Sequence, residues 1–255
     1  MNIYVGGAVW VLVVAAVAAL ATIPVHRLGE RGRNADGAVT GVFTIVAGLQ
    51  AVLMAFVLIS LFDTVNSVGE GSYTEANALV AVYWASDSLP EPARDQIQQL
   101  SASYAKTVAE QEWPSLRDGA PVPGTGWVLL ERIRMAIDTA PADSDWQQQR
   151  KSEAAGQLWA VYEARQARLT AAGDANVGAA VWLVLIVGSI LSISMAYLFD
   201  VPGLRTHMVI VGTLAATIAL LMYSIYQLQN PFSGGAQVEP DAFNSVIDQM
   251  LGRVT

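Results

Sequence analysis

AVTGVFTIVAGLQAVLMAFVLISLF, residues 38–62, is an apolar run that contains no charged side chain. A helix needs about 20 apolar residues to cross the hydrocarbon core of a bilayer. Three more runs of this kind, also without charge, lie at about 5–23, 177–199 and 208–228. Lipid offers no hydrogen-bond partner to unpaired backbone, so these four runs predict four transmembrane helices.

The spacing of the four runs predicts how the chain is organised. Short connections join the first run to the second and the third to the fourth, which favours two antiparallel helical hairpins. We therefore predict a first hairpin over 1–63, an extramembrane insert over 64–176, a second hairpin over 177–228 and a tail over 229–255. The predicted fold class is an all-α integral membrane protein with a helical insert between spans two and three.

Composition agrees with a membrane protein and excludes several functions. Charged residues make up 14% of the chain, against roughly a quarter in soluble domains. The net charge of −8 argues against nucleic-acid binding, which needs clustered positive charge. With no cysteine and two histidines, the sequence offers no disulfide and no thiolate metal site. It shows no nucleotide-binding loop, zinc-protease helix or nucleophile elbow, so we expect neither enzyme activity nor a cofactor.

Basic residues in the short connections predict the orientation. Arg27, Arg31 and Arg33 fall between the first two spans, and Arg205 falls between the last two. Positive residues in short loops favour the cytoplasm. The expectation is a multi-pass protein of the cell membrane, with both turns cytoplasmic and with the insert and both termini outside.

The insert is acidic and shows helical periodicity. Residues 64–176 hold 15 Asp+Glu against 9 Lys+Arg. Thr74 is predicted to cap a helix that runs to Leu89, before Pro90. Apolar residues recur three and four positions apart in the following segments, at Ile97, Leu100, Tyr104 and Val108, and then at Leu129, Ile133 and Ile137. After the fourth span, 241–251 predicts a short amphipathic helix that either lies in the membrane interface or docks on the insert.

Four charged residues of the insert receive ordinary interpretations from their positions. Glu75 suits either an acidic mouth near the bilayer or the N-terminal turn of a helix, where carboxylates are favoured. Glu112 fits a solvated helix end, with Trp113 packing or resting at the membrane interface. Arg165 and Arg168 precede the third span and are expected to extend their charged ends towards water, the alternative being that they line a vestibule.

Polar and small residues within the spans are candidates for a pore or for helix contacts. Gln50, Ser192 and Thr217 must satisfy their polar groups inside lipid, either along a water-filled path or by bonding to a neighbouring helix, and the two hydroxyls can also bond to the backbone of their own helix. Small residues recur at fourfold spacing on the last two spans and permit close helix packing, at Gly188, Ser192, Ala196, Gly212 and Ala216.

Motifs in the insert and the tail resemble those of a known family. Their order is Glu75-Ala76-Asn77-Ala78-Leu79, then Tyr83, Leu89-Pro90, Tyr104 and Glu112-Trp113-Pro114, and in the tail Pro231-Phe232-Ser233-Gly234 before Pro240 and Phe243. Together with the order of spans, they resemble the DUF4239 family of bestrophin-like membrane proteins. The bestrophin label implies an oligomeric channel for anions.

Two hypotheses about function follow. In the first, the chain forms a channel-like homo-oligomer in the lipid bilayer that passes small ions. In the second, it is a non-conducting scaffold or sensor whose acidic insert binds a protein partner.

Overall fold

All regular elements that the structure describes are helical, which confirms the predicted fold class. The computed structural model describes residues 3–28, 37–173, 177–199 and 203–252, without the side chains of 26–28 and 37–39. The interspan turn at 29–36, with Arg31 and Arg33, lies outside the described residues. The helices are α1 Ile3–Leu28, α2 Gly37–Ala85, α3 Ala93–Thr107, α4 Trp113–Arg117, α5 Thr125–Thr139, α6 Asp145–Gly173, α7 Ala179–Ala196, α8 Leu204–Leu228 and α9 Asp241–Met250.

Among the described helices, four are long and apolar enough to cross a membrane: α1, α2, α7 and α8. Large apolar side chains project from them without cover from the rest of the chain. Leu49 and Phe56 on α2 are each 67% exposed, and Val209 on α8 is 66% exposed. Apolar surface on this scale suits contact with lipid. The protein is therefore a membrane protein.

Helix α2 extends well beyond the predicted second span, and the expectation that a new helix begins at Thr74 is wrong. Thr74 lies inside α2, where its hydroxyl donates to the carbonyl of Glu70 at 3.0 Å. A hydroxyl inside a helix commonly bonds four residues back in this way. The helix continues past the apolar run because it gains a new buried stripe there, beginning at Val65 and including Leu79.

The chain divides into two compact units. The membrane unit comprises Met1–Asp63 and Asn176–Gln229, and the insert unit comprises Thr64–Ala175 and Asn230–Thr255. The C-terminal tail thus belongs to the same unit as the insert.

Within the membrane unit, small residues let α8 approach α1. A Cβ added to Gly212 would lie 3.5 Å from Ala19 Cβ and 3.7 Å from the carbonyl oxygen of Ala15. At one end of this pair, the Tyr223 hydroxyl donates to the Ile3 carbonyl at 2.6 Å. These contacts tie the first and last spans together.

Within the insert unit, one continuous apolar core joins helices α2, α3, α5, α6 and α9. The tail helix α9 turns Phe243 and Val246 into this core, where both are buried. Of the two placements that the sequence left open for this helix, the structure shows docking on the insert.

Candidate functional sites

The core of the insert unit contains two arginines and two glutamates that the chain covers almost completely. Arg165 and Glu112 form a two-pronged pair: Nη1 donates to Oε2 at 2.8 Å and Nη2 donates to Oε1 at 2.7 Å. Both side chains are 0% exposed. Guanidinium and carboxylate groups match each other best in this parallel geometry.

Arg168 connects that pair to a second carboxylate. Its Nε donates to Glu75 Oε2 at 2.8 Å, and its Nη2 donates to Glu75 Oε1 and to Glu112 Oε2, each at 3.1 Å. We call Glu75, Glu112, Arg165 and Arg168 the buried charge cluster. Two positive and two negative groups balance, which is how charges are tolerated in an apolar interior.

Tyr104 adds two hydrogen bonds to the cluster. Its hydroxyl donates to Glu75 Oε1 at 2.6 Å and accepts from Arg165 Nη1 at 3.2 Å. Burial and the neighbouring Glu75 raise the pKa of Tyr104 well above its ordinary value. Burial lowers the pKa of Arg168, but Glu75, Tyr104 and Glu112 together raise it, so this pKa also lies above its ordinary value. Both groups therefore keep their protons at neutral pH.

Aromatic rings enclose both guanidinium groups. Arg165 lies over the ring of Trp127, with its guanidinium carbon 4.6 Å from the ring centre. Arg168 lies 5.5 Å from the ring centre of Trp113 and 5.8 Å from that of Phe243. The negative ring faces attract the cations and exclude water from them.

Local irregularities of the backbone bring Glu112 and Arg165 together. Residues Val108–Glu112 form a turn of π-helix between α3 and α4, a widening that often occurs at functional sites. Gly126 leaves room on α5, because a Cβ there would lie 2.5 Å from Arg165 Nη2. The π-helical turn and Gly126 thus both lie beside the ion pair between Glu112 and Arg165.

The positions predicted for these charges from sequence are wrong. Glu75 lies inside α2 rather than in a first turn, and Glu112 is buried rather than solvated. Arg165 and Arg168 do not reach towards water, because the two carboxylates hold them in the core. The sequence signal was a pair of arginines three residues apart on one helix face, which does not indicate which of the insert's 15 acidic residues they meet.

The residues of the family motifs lie at several places around this core. Trp113 packs in the core edge-to-face with Phe232, at 5.3 Å between ring centres, and its Nε1 donates to the Val238 carbonyl at 2.9 Å. Pro231 is buried beside them. Gly234 has a φ of 87°, a conformation that suits glycine. Asn77, by contrast, is exposed on α2.

A second, smaller polar site lies in the membrane unit, where Gln50 of α2 contacts α7. Its Nε2 donates to the Leu185 carbonyl at 3.0 Å and to Ser189 Oγ at 3.3 Å. Gly188 makes space for the amide, because a Cβ there would lie 2.6 Å from Gln50 Cδ. Of the two roles that the sequence left open for Gln50, this geometry shows the contact between helices.

The other polar and small residues of the spans do not join this site. Within the described chain, the buried Ser192 Oγ has no hydrogen-bond partner. Thr217 is exposed, and its hydroxyl donates to the Thr213 carbonyl at 3.0 Å. Ala196 is buried in a small cluster with residues of α1 and α8, while Ala216 is partly buried.

Together these features define a class: helical membrane proteins with four spans and a helical insert that encloses buried charges. A family model described as the Bestrophin-like domain matches residues 12–243, most of the chain. The chain belongs to the Bestrophin-like family, which confirms the resemblance found in its motifs. No curated protein and no solved structure matches it.

Proposed function

We propose that the protein is a channel-like homo-oligomer that passes small ions, with one face of α2 lining the path. The observation that carries this proposal is a row of small residues on α2 that the chain leaves exposed: Gly41, Thr44, Gly48, Ala51 and Ala55. At 3.6 residues per turn, these five residues fall within about 80° of the helix circumference. Gln50, which holds α2 against α7, lies about 140° from the centre of this face. We call it the small-residue face.

The chemistry of the small-residue face suits contact with water or with another helix better than contact with lipid. A Cβ added to Gly41 or Gly48 would have no atom within 4 Å, so the backbone there is open on that side. Thr44 adds a hydroxyl that donates to the Thr40 carbonyl at 2.9 Å. Backbone and hydroxyl oxygens are ligands that ion pathways use in place of charged side chains.

If several copies assemble, the small-residue faces of neighbouring copies can meet around a shared path, which a single chain cannot form. Small residues permit close approach between helices in lipid, which favours contact between copies. The four apolar runs at about 5–23, 38–62, 177–199 and 208–228 contain no Asp, Glu, Lys or Arg, so an ion passing along them would meet only neutral side chains. Membership of the Bestrophin-like family also supports a channel. In this proposal the ends of α1 and α8 that carry Arg27 and Arg205 face the cytoplasm, and the insert lies outside.

Replacing Gly48 by leucine is expected to reduce ion flux by roughly tenfold or more, because each copy would add a bulky apolar side chain to the path. The measurement is flux from sealed liposomes that contain purified protein, under chloride and potassium gradients in turn.

The matched control is Gly69→Leu, the same change on the same helix outside the predicted span, where a Cβ also has no atom within 4 Å. It should leave flux unchanged. Absence of flux from intact, monodisperse protein would contradict the channel, and equal flux in the Gly48→Leu protein would contradict the role of this face.

The second candidate function is a non-conducting scaffold or sensor whose insert binds a protein partner. The observation in its favour is the exposure of two tryptophans on α6: Trp146 is 58% exposed and Trp159 is 65% exposed. Tryptophan is enriched at the centres of protein interfaces. Two results together would favour this function over the channel: intact protein that passes no ions, and a partner polypeptide that crosslinks to the insert at Trp159.

A further inference from the structure

A cleft in the membrane unit lies among α1, α7 and α8, with a volume of about 630 Å³. Four aromatic residues line it: Trp10, Trp182, Tyr223 and Tyr226. Isoleucines of α7 and α8, among them Ile190 and Ile218, supply much of the remaining lining. The cleft is thus an apolar recess in the part of the protein that lies in lipid.

The hydroxyl groups of Ser189 and Tyr223, which border the cleft, are bonded within the protein. The Ser189 hydroxyl donates to the Leu185 carbonyl at 2.6 Å. The Tyr223 hydroxyl donates to the Ile3 carbonyl and accepts from Gln227 Nε2 at 2.7 Å. With these groups paired, the recess favours an apolar ligand over one that needs hydrogen bonds.

We propose that this cleft holds an acyl chain of a membrane phospholipid. Its lining runs along α7 from Trp182 to Ile193, eleven residue steps or roughly 16 Å at 1.5 Å per residue. The recess is therefore long, as an extended acyl chain requires. Its volume also falls within the range of roughly 300–1,000 Å³ typical of small-ligand sites.

A helix of a second copy is the alternative occupant of this cleft, and the test below distinguishes it from an acyl chain.

The aromatic residues indicate which end of the cleft receives the phospholipid headgroup. Trp182 lies in the first turn of α7, while Tyr223 and Tyr226 lie in the last turns of α8. All three therefore lie at the same end of these antiparallel helices. Tryptophan and tyrosine concentrate at the level of lipid headgroups. The acyl chain would enter from this end and run towards Ile193.

The test counts phospholipid that stays bound after purification. Protein reconstituted in dioleoylphosphatidylcholine bilayers is extracted into detergent, washed and weighed by native mass spectrometry. We expect one retained phospholipid per protomer, and a loss of at least several-fold after Ala219→Phe, which fills the cleft. Leu220→Phe is the control, because Leu220 is 54% exposed and does not line the cleft.

A second variant covers the case in which Ala219→Phe does not fold. Ile190→Cys, labelled with a bulky hydrophobic maleimide after folding, should block the cleft, whereas labelled Leu191→Cys, beside it but outside the lining, should not. The chain's lack of cysteine makes each label site-specific. Equal retention in blocked and control proteins, no retained phospholipid, or a change of oligomeric state alone would each overturn the proposal. None of these outcomes depends on ion flux.

Discussion

Replacing Glu112 by alanine is expected to lower the free energy of unfolding of the insert unit by about 3–5 kcal/mol. Glu112 accepts three hydrogen bonds in the buried charge cluster, two from Arg165 and one from Arg168. Its removal leaves two buried guanidinium groups to share one carboxylate. The excess positive charge then lies in an apolar core without water.

The expected loss of stability arises because the variant leaves buried positive charge without a partner. It does not require that the intact ion pair contribute a large net stability. A complete buried ion pair contributes little net stability, because desolvation offsets the attraction. A pair that has lost one member keeps the desolvation cost without the attraction. The variant should therefore unfold at a much lower temperature, as followed by circular dichroism of the purified protein.

The matched control is Glu110→Ala, two residues away. Glu110 is exposed and lies 3.9 Å from Lys106, an arrangement that contributes at most about 1 kcal/mol. Its removal should change the unfolding temperature only slightly. Equal losses in the two variants would show that the cluster does not hold the insert together.

The second large effect is expected at Gly126, where alanine should lower the free energy of unfolding by about 1–3 kcal/mol. The new methyl group would lie 2.5 Å from Arg165 Nη2 and 2.6 Å from Nη1, closer than nonbonded atoms approach. Either α5 or the two-pronged pair with Glu112 must shift. A shift of the guanidinium weakens the charge-assisted hydrogen bonds that neutralise it.

The control for Gly126 is the same substitution at Gly156, with an expected effect of opposite sign. Gly156 lies on the exposed face of α6, and a Cβ there would have no atom within 4 Å. Alanine favours helix over glycine by up to about 1 kcal/mol. Thermal unfolding should thus show Gly126→Ala destabilised and Gly156→Ala unchanged or stabilised. Stabilisation in both would mean that the space beside Arg165 is not restricted.

The four spans could be predicted from sequence because the physics that specifies them is local. An uncharged apolar run long enough to cross lipid must pair its backbone within itself, so its fold follows from composition and length. The end of α2 could not be read from hydropathy. The helix continues to Ala85, and its residues from Val68 onwards contribute to the core of the insert unit.

The buried charge cluster could not be predicted, because it depends on contacts between distant segments. Arg168 is 93 residues from Glu75 and 56 from Glu112. No local pattern distinguishes a glutamate that will be buried from one on a solvated face. The position of Gln50 inside a span, in contrast, already limited its amide to a neighbouring helix or a water-filled path, since an amide in lipid needs a partner.

Water accessibility of the small-residue face is the most direct test of the central proposal, that this face lines an ion path. Ala51 and Leu49 lie at nearly the same depth of α2 but point about 160° apart. Each is replaced by cysteine in the otherwise cysteine-free chain and exposed, in liposomes, to a charged thiol reagent that does not cross lipid. The proposal predicts rapid modification at Ala51→Cys and protection at Leu49→Cys. Protection of both cysteines, or equal modification of both, would contradict it.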